Sequence, residues 1–220
     1  MGFKDAWKAL LNQPNQNKGY GSGATISYHQ TGYSNPTSRD GFQDLARDGY
    51  TENAIVYRCI NEIANGAAAV PFKLMRGEQP IEDSPLLDLL QRPNPTMSQS
   101  EYFQKMISYL LISGNSYMLR VGTDNGMPTE LYCLRPDRIE IKTNKNGFMP
   151  LSYHYVVDGQ VKAKYEIDQI TGQSEVKQIK LFNPVDDYLG QSPIMPAAGD
   201  IDQHNLGGKH NTHLLITGAT

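Results

Sequence analysis

Cysteine is almost absent from this sequence of 220 residues, which contains only Cys59 and Cys133. Neither thiol has a second cysteine or a histidine at the short spacing typical of a zinc-ligand pair. Both lie in segments whose apolar pattern indicates a core, so we predict two free buried thiols. A disulfide or a reactive thiol is the alternative, and no metal or other cofactor is expected.

Positive charge is not in excess. The chain has 20 Lys and Arg against 23 Asp and Glu, which gives a formal net charge of −3. Proteins that bind nucleic acid electrostatically cluster cations against its phosphates, and the charges of this sequence stay close to balance along the chain. We therefore expect no sequence-specific DNA binding, and a direct DNA-binding module is the least favoured alternative.

Long apolar runs are missing as well. The longest uncharged apolar-rich stretch, residues 106–119, is interrupted by Gly114 and Asn115. It is shorter than the roughly 20 residues that a membrane-spanning helix needs. The first residues carry charges among their apolar side chains, unlike the apolar region of a secretion signal. The sequence therefore predicts no membrane association.

The chain divides into three parts. In residues 1–12 the large apolar side chains follow the spacing of one helix face, which predicts an N-terminal helix. These side chains are Phe3, Trp7, Leu10 and Leu11. Residues 13–50 are rich in Asn, Gln, Gly, Ser and Tyr without periodicity, which is typical of a flexible arm. Periodicity returns after the arm, so residues 51–220 are predicted to form one domain.

Helix signals dominate the first half of this domain. Residues 52–68 repeat apolar side chains at spacings of three and four, which predicts an amphipathic helix. A strand is predicted at 70–74, and a Ser-Pro pair starts a short helix that covers 86–90. A capping box at 98–101 starts a third helix, which Gly114 is expected to end.

Strand signals follow with a period of two. Strands are predicted around 117–121, 131–134, 139–141, 153–157 and 176–182, with hairpin turns at the Asn-Gly of 146–147 and the Asp-Gly of 158–159. A closing helix is expected from Ser192 onwards. This helix is expected to contain Ile194, Ala197, Ala198, Ile201 and Leu206. The predicted fold class is α+β, with amphipathic helices packed on a curled, mainly antiparallel sheet.

Two groups of residues suggest ligand binding, but their spacing favours simpler interpretations. Gly19, Gly21 and Gly23 have no preceding strand, no following helix and no Lys-Ser/Thr, so a glycine-rich arm is favoured over a phosphate loop. His210 and His213 share a helical spacing, but they have no carboxylate or thiolate nearby in the sequence. We interpret these histidines, with His204, as a polar stretch.

An adjacent pair of acids is the remaining candidate for chemistry. Asp186 and Asp187 point to opposite sides of an extended chain, so turn acids are favoured over a catalytic or magnesium-binding pair. No catalytic, cofactor-binding or metal-binding residue is therefore predicted, and binding residues stay unassigned. A hydrolase would need Asp186, Asp187 and a histidine in one pocket, and we keep it as an alternative.

Six motifs in one order resemble the N-terminal part of HK97-type tailed-phage portal proteins. The helix sequence at 53–64 is followed by the apolar segment at 67–74, as in that family. The remaining motifs are SPLLDLL at 84–90 with RPNP at 92–95, GNSY at 114–117, YCLRP at 132–136, GQSPI at 190–194 and the Ala-Ala helix at 197–198. The resemblance covers roughly residues 50–215.

The resemblance implies a structural protein of the virion without an active site. Portal subunits form a ring, typically of twelve copies, at one vertex of the capsid, through which DNA is packaged and ejected. The implied partners are other portal subunits together with capsid and scaffold proteins, and DNA is implied only in passage. The matched segment corresponds to the outer wing of a subunit, and assembly is implied to take place in the host cytoplasm.

The end of the chain departs from the family pattern. The family continues into stem, clip and channel regions, and the resemblance places the last residues of this chain before them. We therefore expect a truncated gene, half of a split portal or a fragment, and contacts to terminase, neck and tail are left open. The alternative function is a fragment that joins a full-length portal and interferes with its assembly.

Overall fold

The computed structural model of this protein describes most of the predicted domain. The described residues are 25–26, 45–122, 126–144 and 149–218. The predicted N-terminal helix at 1–12, the glycine-rich stretch at 19–23 and the Asn-Gly turn at 146–147 lie outside the described residues.

Four α-helices occur within the described residues. They are α1 Ala54–Ala68, α2 Pro85–Gln91, α3 Gln99–Ser113 and α4 Ala198–Thr217. A π-helical segment, Leu45–Thr51, precedes α1, and short 3-10 turns occupy Pro136–Arg138 and Met195–Ala197. Helices therefore stand at both ends of the domain, as the sequence predicts.

The described strands pair antiparallel throughout. They are β1 Thr25–Ile26, β2 Leu74–Arg76, β3 Gln79–Ile81, β4 Asn115–Val121, β5 Glu130–Leu134, β6 Ile139–Thr143, β7 Pro150–Val157, β8 Gln160–Glu166 and β9 Val176–Lys180. They form a four-stranded sheet in the order β1-β6-β7-β8, a three-stranded sheet in the order β5-β4-β9, and the hairpin β2-β3. The α+β class is confirmed, with the strands divided among these sheets.

β4 separates two of the cores. Successive side chains of a strand point to opposite faces, and Tyr117 and Leu119 enter the core between the two larger sheets. Met118 faces the other way, toward the core that α2 and α3 form with β5, where Tyr102 and Cys133 are buried. The three-stranded sheet is therefore covered by helices on one face and by the second sheet on the other.

The third core joins the helices at the two ends of the domain. Its buried members are Leu45, Ile60, Ile112, Ile194 and Ile201. Leu45 belongs to the π-helical segment, and its side chain is 0% exposed. Residues 45–50, at the end of the predicted arm, therefore pack against the domain.

Local capping explains where α1 and α3 begin and end. The Asn53 side chain accepts hydrogen bonds from the first amides of α1. Ser98 and Glu101 form the predicted capping box, in which the Ser98 backbone N–H donates to the Glu101 carboxylate at 2.8 Å. Gly114 ends α3 in the left-handed conformation with φ 76°. The predicted start and end of α3 are confirmed.

The Asp-Gly turn between β7 and β8 is also confirmed. Asp158 has φ 51° and Gly159 has φ 71°, and the two flanking strands pair directly across them. Two consecutive positive φ angles are the requirement of a type I′ hairpin turn.

Three predicted boundaries are wrong. The strand expected at 70–74 begins only at Leu74, and the residues before it include Pro71, which has no N–H to donate to a strand partner. The strand expected to reach residue 182 ends at Lys180. The closing helix begins at Ala198 rather than at Ser192, because Pro196 cannot donate to the carbonyl four residues earlier.

Candidate functional site

The adjacent acids occupy a turn, and one of them is held by the backbone. The Asp186 carboxylate accepts hydrogen bonds from the backbone N–H groups of Tyr188 at 2.7 Å and Leu189 at 2.9 Å. This arrangement is an Asx turn, which confirms the structural interpretation of Asp186. Asp187 is exposed, and its carbonyl oxygen accepts a hydrogen bond from the Lys180 ammonium.

The three histidines of the chain end lie along α4. His204 is next to the start of α1, where its Nδ1 is 3.2 Å from the Asn53 side-chain nitrogen. His210 and His213 lie further along and are exposed. Within the described ranges, no group of three His, Cys, Asp or Glu side chains is placed to hold a metal ion.

The two cysteines have different environments. Cys133 is buried on β5, 3.7 Å from the Ser116 hydroxyl, and burial raises the pKa of its thiol. Cys59 is exposed on α1, so the prediction that it is buried is wrong. The reason is that α1 buries Ile60, Ala64 and Ala68, whereas Cys59 lies on a second apolar stripe that faces outwards. Periodicity alone does not distinguish the two stripes.

A buried amide joins the end of α3 to the loop before α4. Asn115 accepts from the Gly190 backbone N–H at 2.8 Å and from the Gln178 side chain at 3.0 Å, and it donates to the Gly190 carbonyl at 3.2 Å. A Cβ atom added to Gly190 would lie 2.1 Å from the carbonyl oxygen of Gly114. This contact between two backbones sets the point from which the chain continues toward α4.

Hydrogen bonds hold the first half of α4 on the domain. The Asn205 side chain donates to the carbonyl of Asp48 at 2.9 Å and accepts from the side chain of Asn53 at 2.9 Å. Lys209 forms an ion pair of 3.1 Å with Glu52, just before α1. Ala198 and Ile201 are buried at the start of the helix. The beginning of α4 is therefore fixed against α1 and the π-helical segment.

Beyond Asn205, α4 is exposed to solvent, although Lys209 still reaches Glu52 through its ion pair. Every residue from 206 to 217 is exposed, and this segment is here named the distal α4 surface. Twelve helical residues span about 18 Å. The apolar members of this surface are Leu206, Leu214, Leu215 and Ile216. A helix of this length is marginal in water without packing, so the distal α4 surface is a candidate for contact with another molecule.

Leu206 lies in the closing helix, as the sequence predicts, and 65% of its surface is exposed. The apolar period of α4 is interrupted after Ile201, where polar residues and two glycines follow. That interruption is the sequence signal that could have identified the distal α4 surface. Among the residues described, no helix is long and apolar enough to cross a membrane.

Comparison with protein families gives one match over most of the domain. The family model described as "Phage portal protein" matches residues 54–220. An uncharacterized protein of Rickettsia bellii (strain RML369-C) is 35% identical over 174 residues, which are 78% of this chain and 44% of that protein. An uncharacterized protein of Rickettsia felis (strain ATCC VR-1525 / URRWXCal2) is 34% identical over 174 residues, with the same coverage of both chains.

Similar solved structures come from gene transfer agent (GTA) particles. A chain in the neck of an empty GTA particle, computed with C6 symmetry, is 33% identical with a TM-score of 0.76, covering 90% of this chain and 50% of that one. A chain in the neck of a native particle, computed with C12 symmetry, is 30% identical with a TM-score of 0.71, covering 89% and 48%. This chain therefore spans about half the length of the proteins that it resembles.

Proposed function

The chain belongs to the phage portal protein family, and on this basis we propose that it is a ring-forming subunit of a portal vertex through which DNA enters and leaves a phage-like particle. The family match over residues 54–220 is the observation that carries this proposal. Its role as a structural protein of a virion follows from the same match and from the similar neck and virion chains. The proposed ring has twelve copies, as the C12 symmetry of one similar neck suggests.

We divide the chain by analogy with a portal subunit. Residues 51–220 are the proposed wing-like domain, residues 13–50 an arm, and residues 1–12 a helix. The packing of Leu45 and Gly49 supports an arm that joins the domain beside α1. Stem, clip and channel functions are not assigned to this chain, so contacts with terminase, neck and tail are not part of the proposal.

Subunit contact is the proposed role of the distal α4 surface. A ring built head to tail needs two different complementary surfaces on every subunit. The distal α4 surface offers leucine and isoleucine side chains that the described residues leave exposed. Packing against a neighbouring copy would remove this apolar area from water and stabilise the helix.

DNA is proposed to pass the protein without being bound by it. The formal net charge of −3 supports this role, because retention of DNA depends on clustered cations. Capsid and scaffold proteins are the further proposed partners, with assembly in the host cytoplasm. The protein is proposed to have no catalytic activity, in line with the structural character of its family.

Electron microscopy of the purified protein tests the proposal directly. Negative-stain images and mass determination are expected to show closed rings, either of this chain alone or of this chain co-expressed with a full-length portal of the same particle. A protein that stays monomeric and does not co-purify with that portal contradicts the proposal. Mixed rings that fail to package DNA would instead show that this chain joins the full-length portal and interferes with its function.

Retention of duplex DNA on a filter at low salt tests the proposal that the protein does not bind DNA. No retention is expected, because the chain has no excess of positive charge. Low salt is the strictest condition for this test, since screening is weakest there and any electrostatic binding is strongest. Retention that disappears as salt is raised would show that the protein binds the DNA backbone.

A further inference from the structure

The outward face of α1 carries an apolar stripe that the described residues leave exposed. Ile55, Cys59 and Ile63 follow one another at i, i+4 and i+8, so they lie in line on one face of the helix. Ile55 is 60% exposed and Ile63 is 56% exposed. These three residues are here named the outer α1 stripe, and they are exposed, whereas Ile60 and Ala64 on the same helix are buried.

The residue sizes along the outer α1 stripe allow a second helix to pack on it. Cys59 is small and lies between two larger β-branched side chains, which leaves a depression along the helix. Gly66 continues the stripe by one further turn, and a Cβ atom added there would meet nothing within 4 Å. Arg58 and Glu62 border the stripe and pair with each other at 3.2 Å. A second helix can therefore approach α1 closely along this line.

The N-terminal segment of this chain offers a matching face. In residues 1–12 the side chains of Phe3, Trp7, Leu10 and Leu11 recur at i, i+4, i+7 and i+8, and apart from Met1 the remaining positions are polar or small. We propose that residues 1–12 form an amphipathic helix that docks on the outer α1 stripe of the same copy. Docking would bury both stripes, and neither residues 1–12 nor α1 offers another residue set of this pattern for the contact.

The connection between the two helices is long enough for this contact. The described chain resumes at Leu45 next to α1, where the rings of Tyr50 and Tyr57 are 5.0 Å apart. Thr25–Ile26 pairs with β6, and residues 13–24 have a contour length of about 40 Å. A domain of this size has a radius of gyration of about 17 Å. A tether of this kind gives residues 1–12 an effective concentration in the millimolar range at the surface of their own domain.

Charge is compatible with the docked arrangement. Lys4 and Lys8 lie one helical turn apart on one edge of the N-terminal stripe, and Glu62 lies on one edge of the outer α1 stripe with its side chain 73% exposed. Exposed ion pairs contribute little energy, so this edge contact favours one orientation of the segment rather than supplying its affinity.

The chain contains one tryptophan, and it lies in the proposed helix at Trp7. Its fluorescence emission in the full chain is therefore a specific probe of docking, and it is expected at the short wavelength of a buried indole. Leu10→Asp places a charge on the apolar face and is expected to shift the emission to that of an exposed indole. Ala9→Asp places the same charge on the opposite face and is expected to leave the emission unchanged.

Two substitutions on α1, a test and its control, examine the other side of the contact. Ile63→Asp is expected to expose Trp7 as Leu10→Asp does, whereas Asn65→Asp, on another face of the same helix, is expected to leave Trp7 buried. Cys59 gives an independent readout, since docking covers its thiol. Its reaction with a water-soluble maleimide is expected to be at least about tenfold faster in Leu10→Asp than in the unaltered chain.

Two results would overturn the proposal. One is an exposed Trp7 in the unaltered chain together with equal maleimide rates for Cys59 in all variants. The other is a Trp7 emission that changes on dilution, because a contact within one copy does not depend on concentration. The proposal does not rest on ring formation, so it is decided by these measurements whether or not rings are seen by microscopy.

Discussion

Two glycines, Gly114 and Gly190, allow two segments of backbone to approach each other closely. A Cβ atom at Gly190 would lie 2.1 Å from the Gly114 carbonyl oxygen and 2.8 Å from backbone atoms of Leu181. Because all of these are backbone atoms, rotation of a side chain cannot relieve the overlap. We expect Gly190→Ala to lower the free energy of unfolding by about 3 kcal/mol, measured as the urea midpoint at constant m-value.

Gly207 provides the matched control for this substitution. It lies in the exposed part of α4, and a Cβ atom there would meet nothing within 4 Å. Alanine restricts the unfolded chain and favours a helix, so Gly207→Ala is expected to raise the free energy of unfolding by about 0.4–1 kcal/mol. A Gly190→Ala protein as stable as the unaltered one would show that the loop before α4 can move away from Gly114.

The sequence predicts only half of this contact. Gly114 is identifiable because a helix signal ends there, and the structure confirms that it ends α3. Gly190 and its partner Asn115 are far apart in the sequence, and no periodicity connects them. The exposure of Cys59 was missed for a related reason, since a short-range pattern does not show which of two apolar stripes the domain covers.

The capping box of α3 links the stability of this element to pH. Hydrogen bonds from Ser98, above all from its backbone N–H, lower the pKa of the Glu101 carboxyl. A lowered pKa in the folded state means that ionised Glu101 adds stability above its unfolded pKa, and that this gain is lost as pH falls through the folded pKa. Glu101→Gln keeps a capping side chain but removes the charge.

The stability difference between the unaltered protein and Glu101→Gln is therefore expected to be present at pH 7 and to be smaller at pH 3, which lies below the ordinary glutamate pKa of about 4.3. Urea unfolding followed by circular dichroism at both pH values measures this difference. Glu78→Gln, in the exposed turn between β2 and β3, is the control and is expected to show a smaller pH dependence. A difference that persists unchanged at low pH would mean that the charge does not matter.

Elements with local signals were predicted well, and elements decided by distant contacts were not. The capping box of α3 and the turn at 158–159 act within a few residues of themselves, and each lies where the sequence places it. The sequence predicts the start of α4 at Ser192, but the Ser192 hydroxyl donates to the carbonyl of Leu111 at 3.0 Å and accepts from the backbone N–H of Ile194 at 3.1 Å, and the helix begins only at Ala198. The contact with Leu111 spans two distant parts of the chain.

At the scale of the whole molecule, the layers of the domain determine where α4 leaves it. The three-stranded sheet lies between helices and the four-stranded sheet, and Asn115 attaches its central strand to the loop that leads to α4. Hydrogen bonds to Asp48 and Asn53 then fix the first half of the helix. The distal α4 surface is therefore presented in a defined direction, as a subunit contact requires.

Assembly should depend on the apolar side chains of the distal α4 surface. Leu215 is 77% exposed, so Leu215→Asp removes no buried contact of the domain and is expected to leave its stability within about 0.5 kcal/mol. At a subunit interface the same change would place an unpaired charge in an apolar contact, which is costly. We expect rings to be lost or strongly reduced in negative-stain images, with normal circular dichroism.

Ile170→Asp is the control for assembly, because Ile170 is a second exposed apolar side chain, 96% exposed, in the turn before β9. The two substitutions introduce the same charge on surfaces of similar exposure, and only the one on α4 is expected to prevent rings. If both variants assemble, the distal α4 surface is not the subunit contact. If neither assembles, loss of assembly reflects added surface charge in general, and the contact must be located by cross-linking instead.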